Sequence, residues 1–287
     1  MLGSRSAVMA TTYLSVVTVG RHVGDDIAPD VLGLLQSRLD VVEVVEAEPV
    51  QKPDLDDELD VSRSTIDRAV KELETAGVVT RGENGYELTL FGSLLIDQYR
   101  TQLDRIRELV RAGPLLDALP AEAPMSVDFV RDASMYHASS SAVLRPVQRF
   151  EELVREATTV HGLSRTISQS STSRLLEEQV LQDRLDCELI MTSALRAYLA
   201  EERSRTEREL YETGRYRVYE TDSLPYGLAL FDLDEDDSHA MIFVYGESNE
   251  LLGTMVNDEP PAVEWATTVY ECFKADAADV SFRSASE

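Results

Sequence analysis

The sequence predicts an α+β chain with a small N-terminal helical domain, a linker helix and a C-terminal α/β domain. Three observations carry this. Between Asp30 and Ala76 apolar residues recur at spacings of three and four, and two short β-prone runs around Gly82, Asn84 and Gly85 follow. From Leu90 an amphipathic stretch, "LFGSLLIDQYRTQLDRIRELV", continues to Val110. Beyond Met125, strand-like apolar runs alternate with amphipathic helical ones, the pattern of an α/β domain. The 287 residues suffice for about two domains, each with its own core.

The elements follow in order. Residues 1–28 form a leader of uncertain order. Its apolar "SAVMATTYLSVVTVG" is interrupted by Thr11, Thr12 and Ser15 and followed by "RHVGDD", which favours an extra strand or a disordered leader over a signal peptide. In "DVLGLLQSRLDVVEVVEAEP", Leu32, Leu35, Leu39 and Val42 fall on one face of a single helix that Pro49 closes. A short second helix starts at "QKPDLDDEL", where Pro53 suits a first turn. Ser62 can cap a third helix from Arg63 to about Ala76, and Gly77 ends it. "VVTRG" and "YELTL", joined through Asn84-Gly85, read as a hairpin. Three helices followed by a hairpin is the order of a winged helix-turn-helix, assigned to residues 29–92.

Residues 93–124 supply the linker helix and a boundary rich in Gly113, Pro114, Pro120 and Pro124. The helix carries Leu95, Tyr99, Leu103, Ile106 and Val110 as a stripe. It suits either a homodimer seam or packing on its own domain, and both readings stay open. In the α/β domain, 125–287, "ATTVHGLS" and "DCELIMTS" read as strands and "STSRLLEEQVLQDRL" as a helix. "ALRAYLAEERSRTERELYETG" is a further helix, "YRVYE", "GLALFD" and "HAMIFVYG" are three successive strands, and "PAVEWATTVYECF" is a closing helix with Trp265.

Charge and cysteine usage narrow the function. No apolar run approaches the roughly 20 residues of a membrane span, so no membrane partner is expected. Cys187 and Cys272 form no ligand spacing and are read as core residues, consistent with a reducing cytoplasm. Acidic residues number 53 against 27 basic ones, a net charge of -26, and only Lys52, Lys71 and Lys274 are lysines. In dilute buffer such a surface repels phosphate.

Against that background the third helix stands out. Ile66, Ala69, Val70 and Leu73 share its buried face, while Ser64, Arg68, Lys71 and Thr75 share the opposite one. Hydroxyls and cations on one exposed stripe are what a helix in the major groove of double-stranded DNA uses. Between Asp30 and Arg100 there are 16 acidic and seven basic residues, yet four of the seven (Arg63, Arg68, Lys71 and Arg81) lie in this helix or the wing. The candidate DNA-binding residues are Ser62, Arg63, Ser64, Thr65, Arg68, Lys71, Thr75, Arg81 and Asn84. The alternative is a ligand-responsive protein-interaction module whose winged helix docks protein.

No catalytic set is expected: the sequence lacks the phosphate-loop, dinucleotide, nucleophile-elbow and zinc-helix motifs, and His22, His137, His161 and His239 are scattered singly. Neither a metal nor a cofactor is expected. For a small-molecule effector, here an anionic metabolite, the candidates are Ser139, Ser140, Ser141 and Arg145 in "YHASSSAVLRP", Ser164 and Arg165 in "GLSRT", and Tyr226 in "SLPYGLALF". A serine-rich loop, surface arginines and a strand entry at Pro225 explain the same residues without a ligand.

"LDDELDVSRSTIDRAVKELETAGVVTRGENGYELTLFG" resembles the winged-helix domain of haloarchaeal transcriptional regulators. "LRPVQRFEELVREATTVHGLS", "DCELIMT", "LPYGLALFD" and "PPAVEWATTVYECF" resemble their companion domain, named after the methanogenesis regulatory protein. The resemblance implies a cytoplasmic, dimeric archaeal regulator that binds promoters and whose second domain senses an effector or mediates assembly. The scarcity of lysine fits such organisms, where molar salt shortens the Debye length to about 3 Å. There the usual loss of DNA affinity with salt should be blunted or inverted, because carboxylates facing phosphates take up cations.

Overall fold

Arg38 splits the first expected helix in two. In the computed structural model, which describes residues 27–59, 61–138, 145–166, 170–233 and 237–280, α1 (Ile27–Ser37) and α2 (Leu39–Ala47) meet at Arg38, whose backbone leaves the helical region at φ -131. Its guanidinium reaches Glu72 through Nε at 3.1 Å and Nη2 at 3.0 Å. The break turns the two apolar stripes independently: Leu35 and Val42 are fully buried, whereas Leu32 is 49% exposed. The leader expectation for residues 1–26 lies outside the described residues.

Two units divide the chain, Met1–Gln102 and Leu103–Glu287. In the first, α3 (Lys52–Glu58) starts in a capping box in which the Gln51 amide donates to Asp54 Oδ2 at 3.2 Å. Next comes α4 (Arg63–Thr75), capped by Ser62, whose Oγ accepts from the Thr65 amide. Its C-terminus closes in a Schellman pattern: the Val78 amide donates to Leu73 O, the Gly77 amide to Glu74 O, and Gly77 sits at φ 74. A hairpin of β1 (Val79–Arg81) and β2 (Tyr86–Leu88) then pairs antiparallel, Val79 with Leu88 and Arg81 with Tyr86.

Val50 adds a third extended segment to the hairpin, which the sequence reading missed. Its amide donates to Tyr86 O at 3.0 Å and its carbonyl accepts from the Tyr86 amide at 2.8 Å. This explains Gly85. At φ 137, a Cβ there would lie 2.4 Å from the Val50 carbonyl oxygen, so only glycine lets the wing close over the strand. Helix α5 (Leu90–Leu116) follows and runs on through Gly113 and Pro114. Leu95 and Tyr99 pack against the first unit's core, built around Leu35, Val42, Leu55, Ile66, Leu73 and Ile96. Farther along, Ile106 and Val110 stay 54% and 72% exposed.

The second unit contains α6 (Val127–Val130), β3 (Ser134–His137), α7 (Arg145–Glu156), β4 (Thr159–Ser164), α8 (Ser170–Leu181), β5 (Asp186–Thr192), α9 (Ser193–Glu202) and α10 (Ser204–Glu212). It continues with β6 (Tyr216–Thr221), β7 (Gly227–Asp232), β8 (Ser238–Tyr245), β9 (Leu251–Asn257), α11 (Pro260–Asp276) and β10 (Ala278–Asp279). The strands form one sheet in the order β10-β6-β5-β4-β7-β8-β9-β3. Parallel pairing joins β4, β5 and β6, and every other pair is antiparallel. Helices cover both faces. Residues of α7, α8, α9 and α10 pack with Val160, Met191, Val218 and Phe231 on one, and residues of α6 and α11 pack with Leu163, Ile190, Leu230 and Ile242 on the other.

The runs read as three successive strands are β6, β7 and β8; β7 pairs with both β4 and β8, while β6 lies apart, beyond β5. Three expectations change. The helix expected across 194–214 breaks at Arg203, where φ is -135. Strands β3 and β9 were not foreseen. Cys272 is exposed on α11, and only Cys187 is a core residue.

Candidate nucleic-acid interface

In α4 the buried face is Ile66, Ala69, Val70 and Leu73, so the helix axis is fixed against the core and its other side is presented outward. Ser62, Arg63, Ser64, Thr65, Arg68, Lys71 and Thr75 are all exposed, as are Arg81 at the base of the wing and Asn84 at its tip. Ser64, Arg68, Lys71 and Thr75 follow one another at spacings of four, three and four, which keeps them within about 60° of one line along the helix.

Their partners divide the cations into two kinds. Arg63 Nε donates to Asp56 Oδ2 at 2.8 Å, and Arg68 Nε donates to Glu72 Oε1 at 2.8 Å. The hydrogen bonds from Arg68 and then Arg38 hold the Glu72 carboxyl below its usual range, so it is ionised and competes for Arg68. Lys52, outside the predicted set, donates to Asp67 at 2.6 Å. Lys71 and Arg81, by contrast, have no ion-pair or hydrogen-bond partner through their side chains among the described residues. They can accept a phosphate without first giving up a carboxylate. The hydroxyls are partly committed: Ser62 Oγ lies 3.0 Å from Ser64 Oγ and 2.9 Å from Thr65 Oγ1, and Thr75 donates to Lys71 O at 2.7 Å.

No single lining collects the described effector candidates. Ser139, Ser140 and Ser141 lie outside the described residues. Arg145 is exposed at the start of α7. Arg165 turns away from the sheet's interior, donating to Asn249 Oδ1 at 2.9 Å and to Pro225 O at 3.4 Å, with its guanidinium 5.7 Å from the Tyr245 ring centre. Tyr226 corrects the expectation of a pocket wall. It is fully buried and donates to Pro124 O at 2.6 Å, tying the segment before α6 to the sheet. Burial pushes its hydroxyl well above the ordinary tyrosine range, so it stays a donor. Of the described candidates, Ser164 alone lines a cavity, an apolar one of about 150 Å³ beneath α7, α8 and α9. Gly162 in the middle of β4 was its one visible sign, since an interior strand glycine marks missing side-chain volume.

A second polar cluster also escaped the sequence reading. Glu188 on β5 is buried, accepting from Lys274 Nζ at 2.5 Å and Tyr270 Oη at 2.6 Å, with Tyr219 Oη at 3.5 Å and Arg217 Nη1 at 4.0 Å. His161 stacks on Tyr270 with ring centres 5.2 Å apart. Every strong partner is satisfied within the protein, which marks a structural tie between α11 and the sheet. Among the described residues no group of acidic, histidine and cysteine side chains could hold a metal ion, and no helix is long and apolar enough to cross a membrane.

Comparison with known proteins gives two matching domain families and several distant folds. Solved structures similar to this chain include TrmBL2, described as an archaeal chromatin protein with a novel mode of DNA binding. It is 12% identical over 88% of this chain and 99% of its own, with a TM-score of 0.40. NucT from Helicobacter pylori is 10% identical over 52% of this chain and 98% of its own, with a TM-score of 0.38. Polyphosphate kinase from Porphyromonas gingivalis is 14% identical over 64% and 29%, with a TM-score of 0.33. Similarity this low leaves the fold to rest on the chain's own geometry. No curated protein matches the sequence. Residues 27–111 match the family model of the HVO_A0261 N-terminal domain, and residues 143–276 that of the middle domain of the methanogenesis regulatory protein FilR1. The chain thus joins an N-terminal domain of the haloarchaeal HVO_A0261 type to a domain of the type found in the middle of the methanogenesis regulatory protein FilR1.

Proposed function

We propose that this regulator binds promoter DNA in sequence-specific fashion, with α4 in the major groove and the wing against the backbone. The observation that carries the reading is the exposed line Ser64, Arg68, Lys71 and Thr75 on a helix whose other face is locked in the core, with the unpaired cations Lys71 within it and Arg81 on the wing beside it. Of the seven cations from Arg38 to Arg100, five are paired with carboxylates and only Lys71 and Arg81 are not, among the described residues, and these two fall where a groove-reading helix and its wing need them. Arg68, in exchanging Glu72 for a guanine edge or a phosphate, supplies discrimination. The second unit acts as the sensing domain. Two copies assemble through Ile106 and Val110 of α5, so that two half-sites are read together.

Chromatin immunoprecipitation of the tagged protein in its high-salt host, beside the Arg68→Ala/Lys71→Ala variant, tests the reading. Discrete peaks upstream of genes that vanish in the variant support it. Equal enrichment for both proteins would reject α4 as the recognition helix.

A further inference from the structure

The cavity at Ser164 has a physical origin in the sheet. On the face covered by α7, α8 and α9, β4 presents Val160, Gly162 and Ser164, and Gly162 pairs in register with Ala229 of β7. Two neighbouring strands therefore offer a hydrogen and a methyl where the rest of this face carries Val, Met and Phe. The helices above rest on their larger neighbours and bridge the hollow, leaving about 150 Å³ walled by Leu176, Met191, Leu195, Leu199 and Phe243. Interiors otherwise fill such gaps, because a void loses dispersion contacts along its lining.

Chemistry at the open end selects the ligand. Ser164, at the end of β4, Thr166, two residues on, and Ser173, in the first turn of α8, bring hydroxyls to it. The one charged side chain in the described lining is acidic, Glu177, which accepts from Arg203 Nη1 at 2.7 Å. Tyr216, also in the wall, is buried, and that burial pushes its hydroxyl well up, so it stays neutral. An anionic metabolite would enter a low-dielectric site beside a carboxylate with no cation in the lining to meet it. This favours a neutral ligand at Ser164 over the anionic one expected from the sequence.

We infer that the cavity between β4 and helices α7, α8 and α9 is a binding site for a small neutral molecule, an aromatic or branched aliphatic body bearing a single hydroxyl or carbonyl group. Apolar cavities of about this size take up molecules of roughly benzene dimensions, and the three hydroxyls orient the polar end. The inference rests on the sensing role given to the second unit and adds the ligand's chemical class.

Calorimetric titration of the full chain without DNA keeps this test apart from DNA binding. The probes are phenol, indole and cyclohexanone, with benzoate as the charged control. The expected result is saturable one-to-one binding of at least one neutral probe, and binding of benzoate weaker by about tenfold or more. Ala229→Leu fills the hollow from its floor and Ser173→Trp covers its mouth, so each should weaken the neutral probe by about tenfold or more. Circular dichroism identifies which variants remain folded, and the partly exposed Ser173 keeps the test available if Ala229→Leu does not fold. Absence of saturable binding by every neutral probe, benzoate binding as tightly as phenol, or neutral-probe affinity unchanged in a folded variant would each overturn the inference.

Discussion

Replacing Lys71 and Arg81 together by alanine removes the two interface cations that have no carboxylate partner, and its effect can be worked out from counterion release. Each phosphate neutralised contributes about 0.9 to the slope of log affinity against log salt, so the double variant should be shallower by about 1.8. Over a fourfold rise in KCl the parent should then lose about twelvefold more affinity than the variant. The absolute slope depends on how many carboxylates near the DNA take up potassium, and in this acidic chain the sign of the total is set by them. The difference between parent and variant cancels that uptake, because neither residue is paired with an acid. Arg63→Ala/Arg68→Ala is the internal comparison. Asp56 is released when Arg63 meets phosphate and must itself take up a cation, whereas Glu72 keeps Arg38 when Arg68 leaves, so this pair should change the slope by about 0.9, half the effect of the unpaired cations. Fluorescence anisotropy on the immunoprecipitated promoter, titrated across KCl concentrations, reads both slopes. A Lys71→Ala/Arg81→Ala slope equal to the parent's, or a larger change in the Arg63/Arg68 variant, would refute the assignment of the unpaired cations as the phosphate contacts.

Gly85→Ala should destabilise the first unit by about 3 kcal/mol, because its Cβ would meet the Val50 backbone at an unfavourable φ. Gly82→Ala meets only the flexible Glu87 side chain and should cost less, a contrast that thermal melting resolves. Lys274→Met leaves Glu188 buried with only Arg217 at 4.0 Å as a cation and should cost about 2 kcal/mol by chemical denaturation. Burial would raise the Glu188 carboxyl, but hydrogen bonds from Lys274 and Tyr270 hold it below its ordinary value. Its stabilisation is therefore complete above the unfolded value of about 4.3 and lost as pH falls through the lower folded value, so the stability gap between parent and Glu188→Gln should close below about pH 4. A gap that widened on acidification would contradict this sign. Tyr226→Phe leaves the Pro124 carbonyl unpaired and should lower stability by about 1–2 kcal/mol without changing probe binding in the cavity. Ile106→Glu/Val110→Glu should shift the protein to monomer in analytical ultracentrifugation, and a sedimentation coefficient equal to the parent's would remove α5 as the seam.

The sequence by itself determined the local elements whose signals are local. Helix α4 could be read from four apolar residues at helical spacing, the Ser62 cap and the Gly77 stop, since capping and periodicity act within a turn or two of the chain. The exposed line of Ser64, Arg68, Lys71 and Thr75 followed from the same geometry. What the tertiary structure decided is what depends on residues distant in sequence. The Arg68–Glu72 pair is an i,i+4 contact within α4, but the pairing of Arg63 turned on Asp56 and the second hold on Glu72 on Arg38, both brought to α4 by folding rather than by spacing along one stripe. The Arg38 break, which continuous periodicity concealed, rests on the same contact. Strand order was likewise invisible, because β6 and β7 are consecutive in the chain and yet lie on opposite sides of β4 and β5, a choice made by which apolar faces the helices must cover. The hollow over Gly162 and Ala229 exists only because register sets two small residues side by side from positions 67 apart in the chain, and no local pattern encodes that pairing.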